Sequence, residues 1–131
     1  RAMRRLTRAL MMLRDLGVTR PGERPPLEGV GVGAGRVVGR ACVAVNPTEA
    51  LTRFEPGDIL VTAGTCPAWN SVLVHAAGVV TEEGGPLSHA AVIARELGLA
   101  ALVGAAGATQ LITDGASIEL DPSAGTVRLL G

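Results

Sequence analysis

The sequence predicts a mixed α/β domain of stacked β, β and α layers, entered through an N-terminal helical arm. Three observations carry this. Strand-like segments outnumber helical ones. Some of those strands are joined by short turns, while others bracket helices. The apolar residues are almost all Val, Leu, Ile and Ala: hydrophobic residues are 47% of the 131, yet there is one Phe, one Trp and no Tyr. Such a core suits closely packed strands and helices with small faces. The glycines follow no Gly-X-Y period, and the hydrophobicity is too high for a disordered chain.

Two units are expected, 1–26 and 27–131. In the first, Arg4–Leu16 places Leu6, Ala9, Leu10 and Leu13 at i, i+3, i+4 and i+7, the spacing of one helix face. Met12 and Leu16 widen the stripe and Gly17 ends it. Such an arm suits a membrane surface or a partner helix, or a connector whose apolar face packs on something else. Pro21-Gly22-Glu23-Arg24-Pro25-Pro26 is a stiff linker that cannot be helix or central strand. The domain proper begins near Leu27.

Gly29-Val30-Gly31-Val32-Gly33-Ala34 matches the dinucleotide fingerprint on paper. That fingerprint follows a strand and opens a helix, whereas here a proline linker precedes and a β-rich run follows. The segment is read as a glycine-softened turn leading into a long, bent strand over 36–45. Asn46-Pro47-Thr48-Glu49 is a turn with a possible helix start, Glu55–Asp58 a turn, and Ile59–Thr62 a short buried strand. Thr65-Cys66-Pro67 opens a helix that runs through Trp69, Val72, Leu73 and Ala76 to Gly78. Val79–Thr81 is a strand pointing into Gly84-Gly85. A helix runs from His89 to Gly98. Ala101–Val103 is a strand, Thr109–Leu111 a short turn or helix, and Ser117–Leu120 and Thr126–Leu130 are closing strands joined by the turn Asp121–Gly125.

Charge and cysteine content narrow the function. Residues 1–24 hold seven Arg against Asp15 and Glu23, and the remainder holds five Arg against ten acids. A weakly acidic body argues against nucleic acid as the principal partner. Cys42 and Cys66 form no C-x-x-C pair and read as two reduced, buried thiols of a cytoplasmic protein. No apolar run approaches the roughly 20 residues of a membrane span. Arg1–Leu16 is basic but lacks a small-residue cleavage site, which makes it a poor match to a signal peptide. The first residue is Arg rather than Met, so the chain can be part of a longer one.

The chemistry concentrates at Glu82–Gly98. Ser88 is a good N-cap, which puts His89 at the first helical position. The helix N-terminus carries about half a positive charge and free N–H groups. It disfavours imidazolium, so a neutral nucleophilic ring is expected, and it favours a bound phosphate. Gly84 and Gly85 let backbone approach an anion closely. Spacing alone equally allows a His that only caps or packs at a helix end. Zinc is disfavoured because the only other His is His75 and no Cys/His pair has ligand spacing. A Ser-His-acid triad is disfavoured because Ser88 and His89 are sequence neighbours on diverging directions.

Gly84-Gly85-Pro86-Leu87-Ser88-His89-Ala90-Ala91-Val92-Ile93-Ala94-Arg95-Glu96-Leu97-Gly98 resembles the phosphohistidine signature of the PEP-utilising enzymes, the family of phosphoenolpyruvate synthase and pyruvate phosphate dikinase. Pro56–Val61, Pro67-Ala68-Trp69, Val79–Glu82, Val103-Gly104, Asp114-Gly115, Asp121 and Gly125 extend the resemblance over about 28–131. It implies a swivelling β/β/α phosphohistidine domain of a phosphotransferase. The phosphoryl group would travel on His89 between a nucleotide site in an ATP-grasp domain and a PEP/pyruvate or other acceptor site on another domain, in the same or another chain. The alternative is a non-catalytic docking or regulatory module that keeps the fold. On the resemblance, this domain binds no cofactor or metal itself; ATP, PEP and Mg belong to partner domains. Arg1–Pro26 would form the hinge side of the swivel.

The resemblance makes His89 the carrier. Ser88, Gly84 and Gly85 would bind the phosphate. Asn70 stands where the family often has a hydroxyl residue that positions the His. Arg95 belongs to the motif, but six residues turn a helix by about 240°, so a structural or docking salt bridge is expected of it. Trp69 suits either the core or a docking surface. Cys66, where an Asp is common, and Ala100, where a Pro is common, depart from the pattern and blur the subfamily.

Overall fold

The computed structural model describes residues 25–33 and 35–130. The predicted helix Arg4–Leu16 and the linker up to Arg24 lie outside the described residues. From Leu27 the chain runs through β1 (Leu27–Glu28), β2 (Val30–Val32), β3 (Val37–Val43), α1 (Pro47–Arg53), β4 (Ile59–Thr62) and a 3₁₀ turn (Pro67–Trp69). It continues with α2 (Asn70–Leu73), β5 (Gly78–Thr81), α3 (His89–Leu97), β6 (Ala100–Val103), α4 (Ala108–Leu111), β7 (Ser117–Asp121) and β8 (Thr126–Leu129).

The strands run in the order β1-β8-β7-β3-β4-β5-β6-β2. The β4–β6 strands are parallel to one another and to the second half of β3, while β1, β8, β7 and the first half of β3 pair antiparallel. β3 is the long strand the sequence predicts, and it serves two partners in turn: Val37–Arg40 pair with β7 and Ala41–Val43 with β4. β1 and β2 sit at opposite ends of the strand order yet are separated by Gly29 alone. The order therefore closes on itself, and the two leaves face each other as layers.

The central strands are buried on both faces, so they read as continuous apolar runs. Leu60, Val79, Ala101 and Val103 face the helices and pack with Trp69, Val72, Leu73, Ala90, Ala91 and Ala94. Ile59, Val61, Val80 and Leu102 face the other leaf and pack with Ile118, Leu120 and Val127. Two cores flank one sheet, which is the β/β/α layering. Alanines on α3 let it lie close to the sheet.

Two expectations change, and a third is made definite. Gly29–Ala34 contains the strand β2, paired with β6 through Val30↔Val103, Gly31↔Leu102 and Val32↔Ala101. Its glycines answer a crowded crossing: a Cβ on Gly31 would stand 1.8 Å from the Pro122 carbonyl oxygen, and one on Gly29 would stand 2.6 Å from that of Val103. The helix expected to run from Pro67 through Ala76 is a 3₁₀ turn and one α-turn, after which His75 and Ala76 donate to the carbonyls three residues back. That tightening brings the chain down into β5 at Gly78. At Asn46 the possible helix start is α1, its amide oxygen capping the Glu49 N–H at 2.8 Å.

Two ionic clamps tie α1 and its flanks to β3. Arg40 meets the buried Asp58 carboxylate through Nε and Nη2 at 3.2 and 2.6 Å. That hydrogen bonding raises the Arg40 pKa further above its ordinary value. Arg53 joins Asp114, Glu49 and the Val43 carbonyl, and Asp114 also accepts from the Val43 N–H at 2.8 Å. Cys42 lies between these clamps, and burial pushes its thiol pKa up.

Candidate active site

The loops after β4, β5 and β6 meet at the carboxyl edge of the parallel strands, the edge at which α/β sheets commonly hold ligands. Backbone bonds lock them together: Glu83 N–H to the Ala63 carbonyl at 2.9 Å, and Ala105 N–H to the Thr81 carbonyl at 2.9 Å. Glu82 accepts from both the N–H and the hydroxyl of Thr109. It thus caps α4, whose own cap, Gly107, has no side chain.

His89 is the first residue of α3, and Ser88 at the cap accepts from the Ala91 N–H at 3.4 Å. Gly98 closes the helix in the left-handed conformation, φ 70°, as a C-terminal glycine should. The half-buried His89 ring is held at both nitrogens. Thr65 Oγ1 lies 2.7 Å from Nδ1, and Asn70 Oδ1 lies 3.1 Å from Nε2. Thr65 comes from the loop after β4 and Asn70 from the first turn of α2. Two further elements therefore fix the ring plane against the helix end. The hydroxyl can donate or accept, and the amide can turn either end toward the ring. Either tautomer of a neutral imidazole is therefore accommodated.

The other expected residues fall around this point. Gly84, at φ 99°, has a conformation that side chains resist, and a Cβ there would stand 2.9 Å from Ser88 Cβ. Gly85 has open space about it and accepts from the Ser88 N–H at 3.0 Å. Arg95 reaches back to the Pro86 carbonyl at 2.7 Å rather than to a carboxylate among the described residues. It thereby straps the glycine loop to the helix. Trp69 is buried in the helix-side core at 3% exposure, so the docking reading for it fails and the packing reading holds. Cys66 is exposed rather than buried, because it stands on the loop lip between Thr65 and the 3₁₀ turn.

Sequence reasoning passed over Thr65. Its signal was its place, three residues beyond a buried parallel strand and just before Pro67, at the edge where the other site residues gather. Among the described residues no group of three or more His, Cys, Asp or Glu could hold a metal ion. No described helix is long and apolar enough to cross a membrane.

Fold and site together define a layered α/β domain that presents one histidine at a helix N-terminus beside a glycine turn. Residues 54–125 match the family model described as "PEP-utilising enzyme, mobile domain", and the chain belongs to that family. It is 51% identical over 104 residues to a rifampicin phosphotransferase from a Streptomyces species. It is 43% identical over 101 residues to a phosphoenolpyruvate synthase from Aeropyrum pernix. These alignments take in 79% and 77% of this chain but 12% of each relative, so the chain spans about an eighth of their length. The solution structure of an Enzyme I protein superposes with a TM-score of 0.53 at 26% identity, over 60% of this chain and 33% of that one.

Proposed function

We propose that this domain is the phosphoryl carrier of a multidomain phosphotransferase, with His89 as the residue that is transiently phosphorylated. The observation that carries the reading is the grip on His89: a ring held at both nitrogens, at the positive end of a nine-residue helix. The family and the relatives named as phosphotransferases support it. The donor would be a nucleotide or PEP site, and the acceptor site pyruvate or another group, on other domains of a longer chain or on a partner chain. ATP, PEP and Mg would be held there.

The chemistry follows from the two contacts. The attacking nitrogen needs a free lone pair, and the other must carry the proton. The Thr65 contact is the shorter and comes from a loop locked to its neighbours. The Asn70 contact is longer and comes from an amide that can present either its oxygen or its N–H. We therefore take Nε2 as the nucleophile, with Nδ1–H donating its hydrogen bond to Thr65 Oγ1 and Asn70 turning its N–H toward the incoming phosphoryl oxygens. Nε2 attacks phosphorus as the bond to the donor oxygen breaks. The α3 N-terminus and the Gly84-Gly85 turn would hold the transferred oxygens. Leu87, 90% exposed on the same loop, suits contact with the docking domain.

The test is incubation with the partner domains and radiolabelled ATP or PEP. An acid-labile, base-stable label lost in His89→Ala supports the reading; no label from either donor overturns it.

A further inference from the structure

Thr81 ends β5 with a hydroxyl, after a Gly and two Val. The residue is 1% exposed. A buried hydroxyl needs a partner, and this one donates to the Glu83 carbonyl at 2.8 Å. The Gly104 N–H, just past the end of β6, reaches the same oxygen at 3.4 Å. Two strand ends thus converge on one carbonyl, that of the residue before Gly84.

The Glu83–Gly84 peptide is trans and planar, so its C=O and N–H point opposite ways. Drawing the carbonyl in toward Thr81 and Gly104 turns the Gly84 N–H away from them. Among the described residues that N–H has no acceptor. Gly84 itself lies against the α3 cap, as its close approach to Ser88 shows, so the freed N–H stands beside the helix end that carries His89. A glycine leaves such a peptide free to turn over, because both signs of φ are open to it. The bonds to the Glu83 carbonyl are what set it.

We infer that Thr81 is a positioning residue for the phosphoryl group on His89: by holding the Glu83 carbonyl it makes the Gly84 N–H a donor to the phosphoryl oxygens. The inference rests on the reading of His89 as the carrier. The hydroxyl acts through the peptide and does not itself touch the phosphoryl group.

The experiment uses the full chain, isotope-labelled for NMR, in a His75→Gln background. Potassium phosphoramidate is the donor, so no partner domain is needed. Its P–N bond breaks as the Nε2–P bond of His89 forms, and ammonia leaves. The Gly84 amide resonance should move downfield on phosphorylation. Thr81→Val keeps the branched shape and removes the hydroxyl. It should abolish that shift and slow phosphorylation by about tenfold, as for one hydrogen bond to a charged group. Thr81→Ser should restore both; a Ser that restores neither would make the effect one of packing and overturn the inference. Thr62→Val, at the paired position of β4 and equally buried, should change neither. A phosphorylated parent whose Gly84 resonance stays in place would overturn the inference without touching the carrier reading, and that measurement needs no variant. A Thr81→Val chain with the parent's shift and rate would do the same. A parent in which His89 takes no phosphoryl group would bring down both.

Discussion

Thr65 and Asn70 separate cleanly by what each does to the ring. Thr65→Val keeps the shape of the side chain and removes the contact to Nδ1. Ring misorientation of this kind lowers phosphorylation by about 100-fold, while urea stability moves by only about 1 kcal/mol. Thr65→Ser should restore most of the rate, which a purely packing role would not allow. Asn70→Asp puts a carboxylate beside Nε2 and favours imidazolium. The acid limb of its rate–pH profile should move to higher pH, and an unmoved limb would remove Asn70 from the ring's environment. Cys42 gives a different pH dependence. Its thiol is raised by burial in the fold, whereas an unfolded thiol ionises at about 8.5. Above that pH the unfolded chain loses a proton that the folded chain keeps, so stability falls as pH rises until the folded thiol also ionises. Cys42→Ala should remove this part of the alkaline slope in urea melts from pH 8 to 10.

Among elements, glycine shows where sequence reading worked and where it stopped. The helix from His89, its Ser88 cap and its Gly98 stop were all legible, because each follows from local chemistry within one turn. The buried central strands were legible as apolar runs. β2 was not, because Gly31 is there for the Pro122 carbonyl, a partner 91 positions along the chain. Thr65 was missed for the same reason, since its meaning depends on a helix that begins 24 residues later. The length of the helix after Pro67 was misjudged because the descent into β5, not local propensity, ends it. Two alanine substitutions make the contrast measurable. Gly31→Ala forces a Cβ into a backbone carbonyl and should destabilise the domain by about 3 kcal/mol. Gly85→Ala meets nothing within 4 Å and should stay within about 0.5 kcal/mol of the parent in urea unfolding. A stable Gly31→Ala would mean that the β2 crossing is not held as described.

At the scale of the whole molecule, the proposed carrier role would require one site geometry at two docking positions, and so a body that moves as a unit. The layering supplies that. β4, β5 and β6 contribute side chains to both cores, so neither core can be opened without stripping a face from the shared sheet. The single tryptophan, Trp69, reports on the helix-side core, and far-UV CD reports on all the strands. Their urea curves should coincide, as in a two-state transition. Ile118 lies in the opposite core, on the antiparallel leaf. Ile118→Val should lower stability by about 1 kcal/mol and shift the Trp69 curve as far as the CD curve, although Ile118 and Trp69 belong to different cores. A CD transition that moves while Trp69 fluorescence stays in place would mean that the antiparallel leaf melts alone. The domain would then be two loosely joined parts, and a rigid swing of His89 between distant sites would have to be abandoned.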